Sequence, residues 1–462
     1  MHIPAHVFYT VETLHKAGYQ AWLVGGALRD FWLGLEPKDW DIATEAMPEE
    51  VMALFDRAIP TGLQFGTVTV LIDDNPVEVT TFRKEAQYNA KRHPEKVELG
   101  VTLEEDLSRR DFTVNALAYD PLQERWFDPY GVIPQLSAKQ MEIKAVGHPE
   151  ERLEEDPLRM LRAFYLMARA GAAGAKVFWD PPTLKAITLA RQKILRVSAE
   201  RVREEMTKIL LGPNPDACLG KMQEAGLLEV ILPEVSRNQG VVQGNRYYKL
   251  DVFDHILAAV RVIKPTPLLR WTALLHDVGK YCCRVVTGDA VHFYGHEKVS
   301  VALAQNILER LRFSKDFQEK VLHLIAHHMF TCPTTDAGIR RFLRRIGPDL
   351  VRDLLELRRA DILATSSEAN LQSLEYFKRR LEEIQNQKPA FGLKDLALNG
   401  YDVMEHLNLA PGPQVGEALN YLLERVLDDP NLNTREVLLA ELQEWAAKHL
   451  PPSGQKRSPT AS

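Results

Sequence analysis

Near residue 145 the sequence changes its hydrophobic period, and this switch constrains the fold more than any other feature. Before it, AWLVGGALRD (21–30) reads as a buried strand running into a Gly-Gly turn that opens a helix. WDIAT, TVTVLID and VEVTTF are short β-branched runs. The last two are separated by Asp73, Asp74, Asn75 and Pro76, which predicts a hairpin. From about Glu150 onward apolar residues recur at helical spacing and strand-like runs nearly vanish. The pattern predicts an α+β head followed by an all-helical remainder. That remainder is punctuated by Gly212-Pro213-Asn214-Pro215, by the glycines around 239–245 and by Pro265-Thr266-Pro267. The closing PPSGQKRSPTAS is polar and Pro/Ser-rich, which predicts a disordered tail. No internal repeat is present, and 462 residues suffice for about two to four domains.

Composition narrows the class. Hydrophobic residues at 45% and charged residues at 26% are ordinary for a soluble globular chain. A net charge of −6 excludes a small histone-like nucleic-acid binder, though not a basic patch on one domain. The most apolar stretch, 163–179, contains Arg169 and Lys176, so no membrane span is expected. MHIPAHVFYT lacks a basic region followed by an apolar run, so no signal peptide is expected. Four cysteines in so long a chain form neither a disulfide framework nor a zinc spacing, and a cytosolic location is expected.

Four segments carry chemistry. Gly25 and Gly26 sit at a strand-to-helix turn, where backbone can approach a polyphosphate and Arg29, one turn on, can clamp its oxygens. Asp39 and Asp41 are two residues apart, so on a strand their carboxylates share one face and repel unless a cation lies between them. Two-metal phosphoryl chemistry needs that arrangement; a solvated pair of acids is the alternative. RRDFTVNA (109–116) offers guanidinium, carboxylate and amide groups for a ribose and a triphosphate, or simply a charged helix start capped by Asp111. EDPLRMLR (155–162) opens the helical region. Asp156 with Pro157 makes a good N-cap and N1 pair, but a cap does not explain Arg159 and Arg162 on neighbouring positions of one helix face.

The order LVGGALRD, DWD, RRDFTVNALAYD, EDPLRMLRA resembles the class II tRNA nucleotidyltransferase and bacterial poly(A) polymerase superfamily, and the CCA-adding enzymes most. LALNGYDVMEHLNLAPGPQVGEAL (396–419) is similar to the C-terminal helical domain of that family. The resemblance implies a polymerase-β-like nucleotidyltransferase head (1–145), a helical neck and body (146–245) and a C-terminal tRNA-binding tail (371–450). It further implies Mg²⁺ on Asp39 and Asp41, nucleotide phosphates on Gly25, Gly26 and Arg29, and the sugar-phosphate part on Arg110 and Asp111. Asp156 and Arg159 would rearrange to match the Watson–Crick edge of C or A, since Arg only donates and ionised Asp only accepts. Arg162 would support that pair or the triphosphate. Two departures stand out: Tyr165 replaces a further arginine, and the loop-like segment 83–97 carries Asn89-Ala90-Lys91-Arg92-His93-Pro94 where the family has an acidic residue and Arg-Arg-Pro. The implied substrates are CTP, ATP and the 3′ acceptor end of tRNA, handled by a monomer or homodimer. The rival readings are an enzyme adding only the final A, a poly(A) polymerase, or a phosphohydrolase whose head merely binds RNA.

A second constellation lies between 250 and 365. His255, His276-Asp277, His296, His327-His328 and Asp361 resemble the spaced ligands of the HD phosphohydrolase superfamily, implying an HD domain (246–370). Mixed N and O donors suit a divalent transition metal or Mg²⁺, which would acidify a bound water. The alternative is a degenerate HD fold kept for packing. Consecutive helical residues point about 100° apart, so one of His327 and His328 faces the metal, and His327 is favoured. Finally, Arg340, Arg341, Arg344 and Arg345 place four guanidiniums in six residues, able to grip an RNA backbone or to form a solvated, acid-balanced face.

Overall fold

The computed structural model describes residues 1–37, 39–88, 94–244, 250–288, 290–365, 368–387 and 392–450. Residues 89–93 of the loop-like segment and the Pro/Ser-rich tail 451–462 lie outside the described residues. The chain forms two compact units, Met1–Gly244 with Leu250–Gln318, and the part from Glu319 onward.

The first unit is built on a seven-stranded sheet. Its strands are β1 (Ala21–Val24), β2 (Asp41–Thr44), β3 (Ala58–Gly62), β4 (Thr67–Ile72), β5 (Asn75–Thr81), β8 (Ala118–Asp120) and β9 (Arg125–Phe127). Their spatial order is β3-β4-β5-β2-β1-β8-β9, with β2 and β5 parallel and every other neighbouring pair antiparallel. The expected β4–β5 hairpin forms. Asp73 and Asp74 both take positive φ, 48° and 63°, the geometry that matches the twist of paired strands. A separate hairpin joins β6 (Arg83–Tyr88) and β7 (Pro94–Leu99). One apolar cluster (Trp22, Val24, Phe82, Leu107, Ala118 and neighbours) locks the sheet against the helix Leu103–Ser108.

Beyond the sheet the chain is mainly helical but not wholly so. β10 (Gln140–Ile143) pairs in parallel with β11 (Lys176–Trp179), and β12 (Arg284–Thr287) forms a hairpin with β13 (Ala290–Phe293). KVFW and RVVT are short β-favouring runs whose strand state is set by a pairing partner, which helical period cannot reveal. Helices Pro149–Glu155 and Arg159–Ala172 are separated by a bend at Asp156-Pro157-Leu158. Among the described residues no helix is long and apolar enough to cross a membrane. The second unit is helical and closes around Leu398, Val403, Leu422, Leu423, Leu438 and Leu442.

Candidate active site

Gly25 ends β1 with φ +82°, and the helix Gly26–Trp32 starts immediately after it. A Cβ on Gly25 would lie 3.0 Å from Arg110 Nη1 and 3.5 Å from Asp41 Oδ2. The glycine is therefore required twice, for its left-handed backbone and for the approach of these two groups. Asp41 opens β2 opposite Val24 and beside Glu78 of β5. Burial raises its pKa, Arg110 opposes that rise, and Glu78 and Asp39 add to it. Asp39 lies ahead of the strand and is exposed, so the shared-face argument does not hold for it. Glu78, a third carboxylate beside Asp41, escaped the sequence reading because VEVTTF looks like any alternating strand.

Arg29 is not an open phosphate clamp. It is 5% exposed, and its Nε and Nη2 donate to Asp30 Oδ1 at 3.0 and 2.8 Å. Its Nη1 donates to Asn115 Oδ1 at 2.6 Å. Asn115 in turn donates to Asp111 Oδ1 at 3.0 Å, and Arg162 Nε lies 2.9 Å from Asp111 Oδ2. The chain Arg29–Asn115–Asp111–Arg162 thus braces the Gly-Gly turn against the helix Arg159–Ala172. Burial alone would raise the Asp111 pKa. Arg162, the Asn115 amide, Arg159 and the Phe112 amide together hold it below the usual carboxylate range.

Asp156 and Arg159 are not paired with each other. Asp156 Oδ1 accepts from the Leu158 amide at 3.1 Å, which caps the bend, while Oδ2 is 2.7 Å from Arg201 Nη2. Arg159 Nη1 lies 2.5 Å from Glu155 Oε2 and donates to the Arg152 carbonyl. Each is therefore held by a separate counter-ion. Neither Glu155 nor Arg201 was singled out from sequence, and Arg201 lies 45 residues beyond its partner.

All these groups converge. A cavity of about 1090 Å³ is lined by Gly25, Gly26, Arg29, Asp39, Asp41, Glu78, Arg110, Asp111, Asp156, Arg159, Arg162, Tyr165 and Arg201, among others. Among the described residues ten cationic side chains face six acidic ones across it, an excess that suits a polyphosphate.

Comparison with known proteins agrees with this geometry. Residues 21–142 match the model of the poly A polymerase head domain, 179–238 that of an RNA- and SrmB-binding site of polymerase A, and 293–442 that of tRNA nucleotidyltransferase domain 2. A CCA-adding enzyme of Anoxybacillus flavithermus is 31% identical over 94% of this chain and 95% of its own. The chain belongs to the CCA-adding enzyme and poly(A) polymerase family. A CCA-adding enzyme of Bacillus cytotoxicus is likewise 31% identical, over 94% of this chain and 96% of its own. The structure of the Bacillus stearothermophilus CCA-adding enzyme in complex with CTP superposes with a TM-score of 0.73 at 26% identity, covering 97% of this chain and 99% of the other. The fold is shared by a Thermotoga maritima CCA-adding enzyme complexed with tRNA, at TM-score 0.57 and 17% identity over 95% of this chain and 94% of the other.

The histidine series is divided between the units. In the first, Asp277 is 1% exposed, with His255 Nε2 and His276 Nε2 each 3.2 Å from Oδ2. His296 Nε2 is 3.2 Å from Oδ1, and Lys280 Nζ is 2.6 Å from Oδ2. Burial alone would raise the Asp277 pKa, but His276, Lys280 and His255 hold it well below the usual carboxylate range. In the second unit the buried member of the pair is His328, not His327. His328 continues the buried face of the helix Lys315–His327, seven residues after Val321 and three after Ile325, and its Nδ1 donates to Ile325 O at 2.7 Å. Asp361, also in the second unit, lies 2.7 Å from Arg358.

The expected RNA grip at 340–345 is largely spent within the second unit. Arg340 is 5% exposed and donates to the carbonyls of Leu427 and Asp428, capping the helix Pro413–Asp428. Arg341 pairs with Glu424 and Asp428, and Arg344 with Glu424 and Asn420. Arg345 is exposed and lies over the Phe342 ring.

Proposed function

We propose that this chain is a template-independent tRNA nucleotidyltransferase that builds or repairs the 3′ CCA end from CTP and ATP, releasing pyrophosphate. The observation that carries the proposal is the single cavity. It holds the Gly-Gly turn with Arg110 and Asp41, and also the residues Asp156 and Arg159 suited to a base edge. The tRNA 3′-hydroxyl attacks the α-phosphorus of the bound nucleotide, and the bond to the bridging oxygen of pyrophosphate breaks. Asp41, with Asp39 and Glu78 adding to the negative field around it, would hold a hard divalent cation such as Mg²⁺, which when bound supplies polarisation of the phosphate and neutralisation of the leaving charge. Arg110 binds the phosphates beside the turn. Arg162, fixed on Asp111, orients the sugar-phosphate part, and the Arg29 brace keeps the turn in place. Glu155 aims Arg159 as a donor and Arg201 aims Asp156 as an acceptor, so the protein itself presents a base edge. The test is incubation of tRNA ending at the discriminator base, or at CC, with CTP and ATP separately and together. Addition of C, C and A to the first substrate is expected; addition of A alone, and only to the CC end, would indicate the A-adding rival.

The Asp277 cluster favours a second, metal-dependent phosphohydrolase activity. Nδ1 of His276 and of His296 each face a backbone carbonyl, at 2.7 and 2.8 Å, so each must donate there. The Nε2 of each ring lies 3.2 Å from the Asp277 carboxylate, and this mixed N and O donor set would suit a divalent transition metal or Mg²⁺. His276→Ala should remove hydrolysis of 2′,3′-cyclic nucleotides or nucleoside monophosphates and spare nucleotide addition. A wild-type enzyme that hydrolyses neither with Mg²⁺, Mn²⁺, Ni²⁺ or Co²⁺ would leave the cluster a packing device.

A further inference from the structure

We propose that Asp106 is a positioning residue that holds Arg110 at the Gly25 turn and ties it to the base of the β6–β7 hairpin; this rests on the transferase reading of the cavity. Asp106 sits on the helix Leu103–Ser108, is 1% exposed and is absent from the cavity lining. Its partners do line the cavity. Oδ2 lies 3.2 Å from Arg110 Nη2. Oδ1 accepts from Arg109 Nε and Nη2 at 3.0 and 2.7 Å, and from the backbone amide of Arg83, the first residue of β6, at 3.3 Å. The Arg83 guanidinium meanwhile donates to the Phe65 carbonyl. One buried carboxylate therefore sets three arginines of the cavity, two through their guanidiniums and one through its backbone.

The consequence lies in where Arg110 would go otherwise. Its Nη2 is held by Asp106 while its Nη1 lies close to the Gly25 turn, in the neighbourhood of Asp41 Oδ2. Asp106 and Asp41 thus compete for one guanidinium. With Asp106 ionised, Arg110 stays shared and can meet a phosphate. Without that charge Arg110 swings onto Asp41, and both groups are lost to substrate. Burial raises the Asp106 pKa but Arg110 and Arg109 outweigh it, so the carboxylate stays ionised.

The test is a double-mutant cycle read by CTP binding in the absence of tRNA, using equilibrium dialysis, with the melting temperature measured alongside. Asp106→Asn keeps the shape and removes the charge. It should weaken CTP binding about tenfold in the otherwise wild-type enzyme and less than about twofold in an Arg110→Ala background. Equal weakening in both backgrounds, or none in the first, would overturn the proposal while leaving the transferase reading intact. If Arg110→Ala alone binds CTP like wild type, Arg110 does not hold the nucleotide and the reading of the cavity itself fails. Should Asp106→Asn melt below the assay temperature, Asp106→Glu takes its place in the same cycle: a loss confined to the Arg110-containing enzyme supports the coupling, and any other result contradicts it.

Discussion

Arg109, Arg110, Arg159, Arg162 and Arg201 in the first unit are no more densely clustered in sequence than Arg340, Arg341, Arg344 and Arg345 in the second. Members of both sets are ion-paired, all five of the first and Arg341 and Arg344 of the second. The difference is what stands on the other side of each pair. In the first unit the partners are Asp106, Glu155, Asp111 and Asp156, and the arginines line a cavity while their partners fix their direction. In the second the partners are the last carbonyls and acids of one helix, and the guanidiniums serve that helix end. An arginine run therefore states a demand for anions without saying whether the anion is a ligand or the protein itself.

Substitutions can break that contrast, and the largest effect belongs beside the first set. Asp41→Ala should abolish nucleotide incorporation in a primer-extension assay while leaving the melting temperature near wild type, because the lost carboxylate serves the reaction and not the core. Incorporation near the wild-type rate would remove Asp41 from the chemistry. Asp156→Ala and Arg201→Ala should each cost about tenfold or more in the preference for CTP and ATP over UTP and GTP, measured by single-turnover incorporation. If Asp156 only caps the bend, its loss should instead lower stability by about 0.5–2 kcal/mol with nucleotide preference unchanged.

In the second set the effect moves from activity to stability. Arg340→Ala should destabilise the protein by about 1–3 kcal/mol in denaturant titrations, since two helix-terminal carbonyls lose a buried charged donor. Affinity for tRNA should change little; a large loss of tRNA binding at unchanged stability would restore the RNA-grip reading. The smallest effect is a pH dependence. Asp111 has a folded pKa below its unfolded value. Its contribution is therefore fully present above the ordinary carboxylate pKa, about 4, and is lost as pH falls through the lower folded value. Asp111→Asn should flatten the acid limb of the stability curve in that window, and an unchanged limb would contradict the pairing with Arg162.

Local chemistry was legible in the sequence and long-range pairing was not. The strand–Gly-Gly–helix turn and the β4–β5 hairpin rest on neighbours within a few residues and are found where local rules put them. Asp156 and Pro157, expected as an N-cap and N1 pair, instead form a bend before the helix Arg159–Ala172, whose N-cap is Leu158. Arg201 against Asp156, Arg29 against Asn115 and Arg340 against Leu427 join residues 45 to 87 apart, which no periodicity encodes. Of His327 and His328 it is His328 that is buried, because it continues the helix face of Val321, Leu324 and Ile325, a periodicity that the 100° separation alone does not use. β10–β11 was missed because a parallel pair needs a partner remote in sequence to exist at all.

The account stands most directly on Arg159, because helix capping makes no prediction for it. Single-turnover incorporation of each of the four nucleotides by Arg159→Ala, onto tRNA ending at the discriminator base and at CC, separates base selection from general binding. If Arg159 presents donors to the base, discrimination among CTP, ATP, UTP and GTP should fall by about 10- to 100-fold, more than the rate with the correct nucleotide. A uniform fall in all four rates, with the order of preference preserved, would place base selection outside this cavity wall.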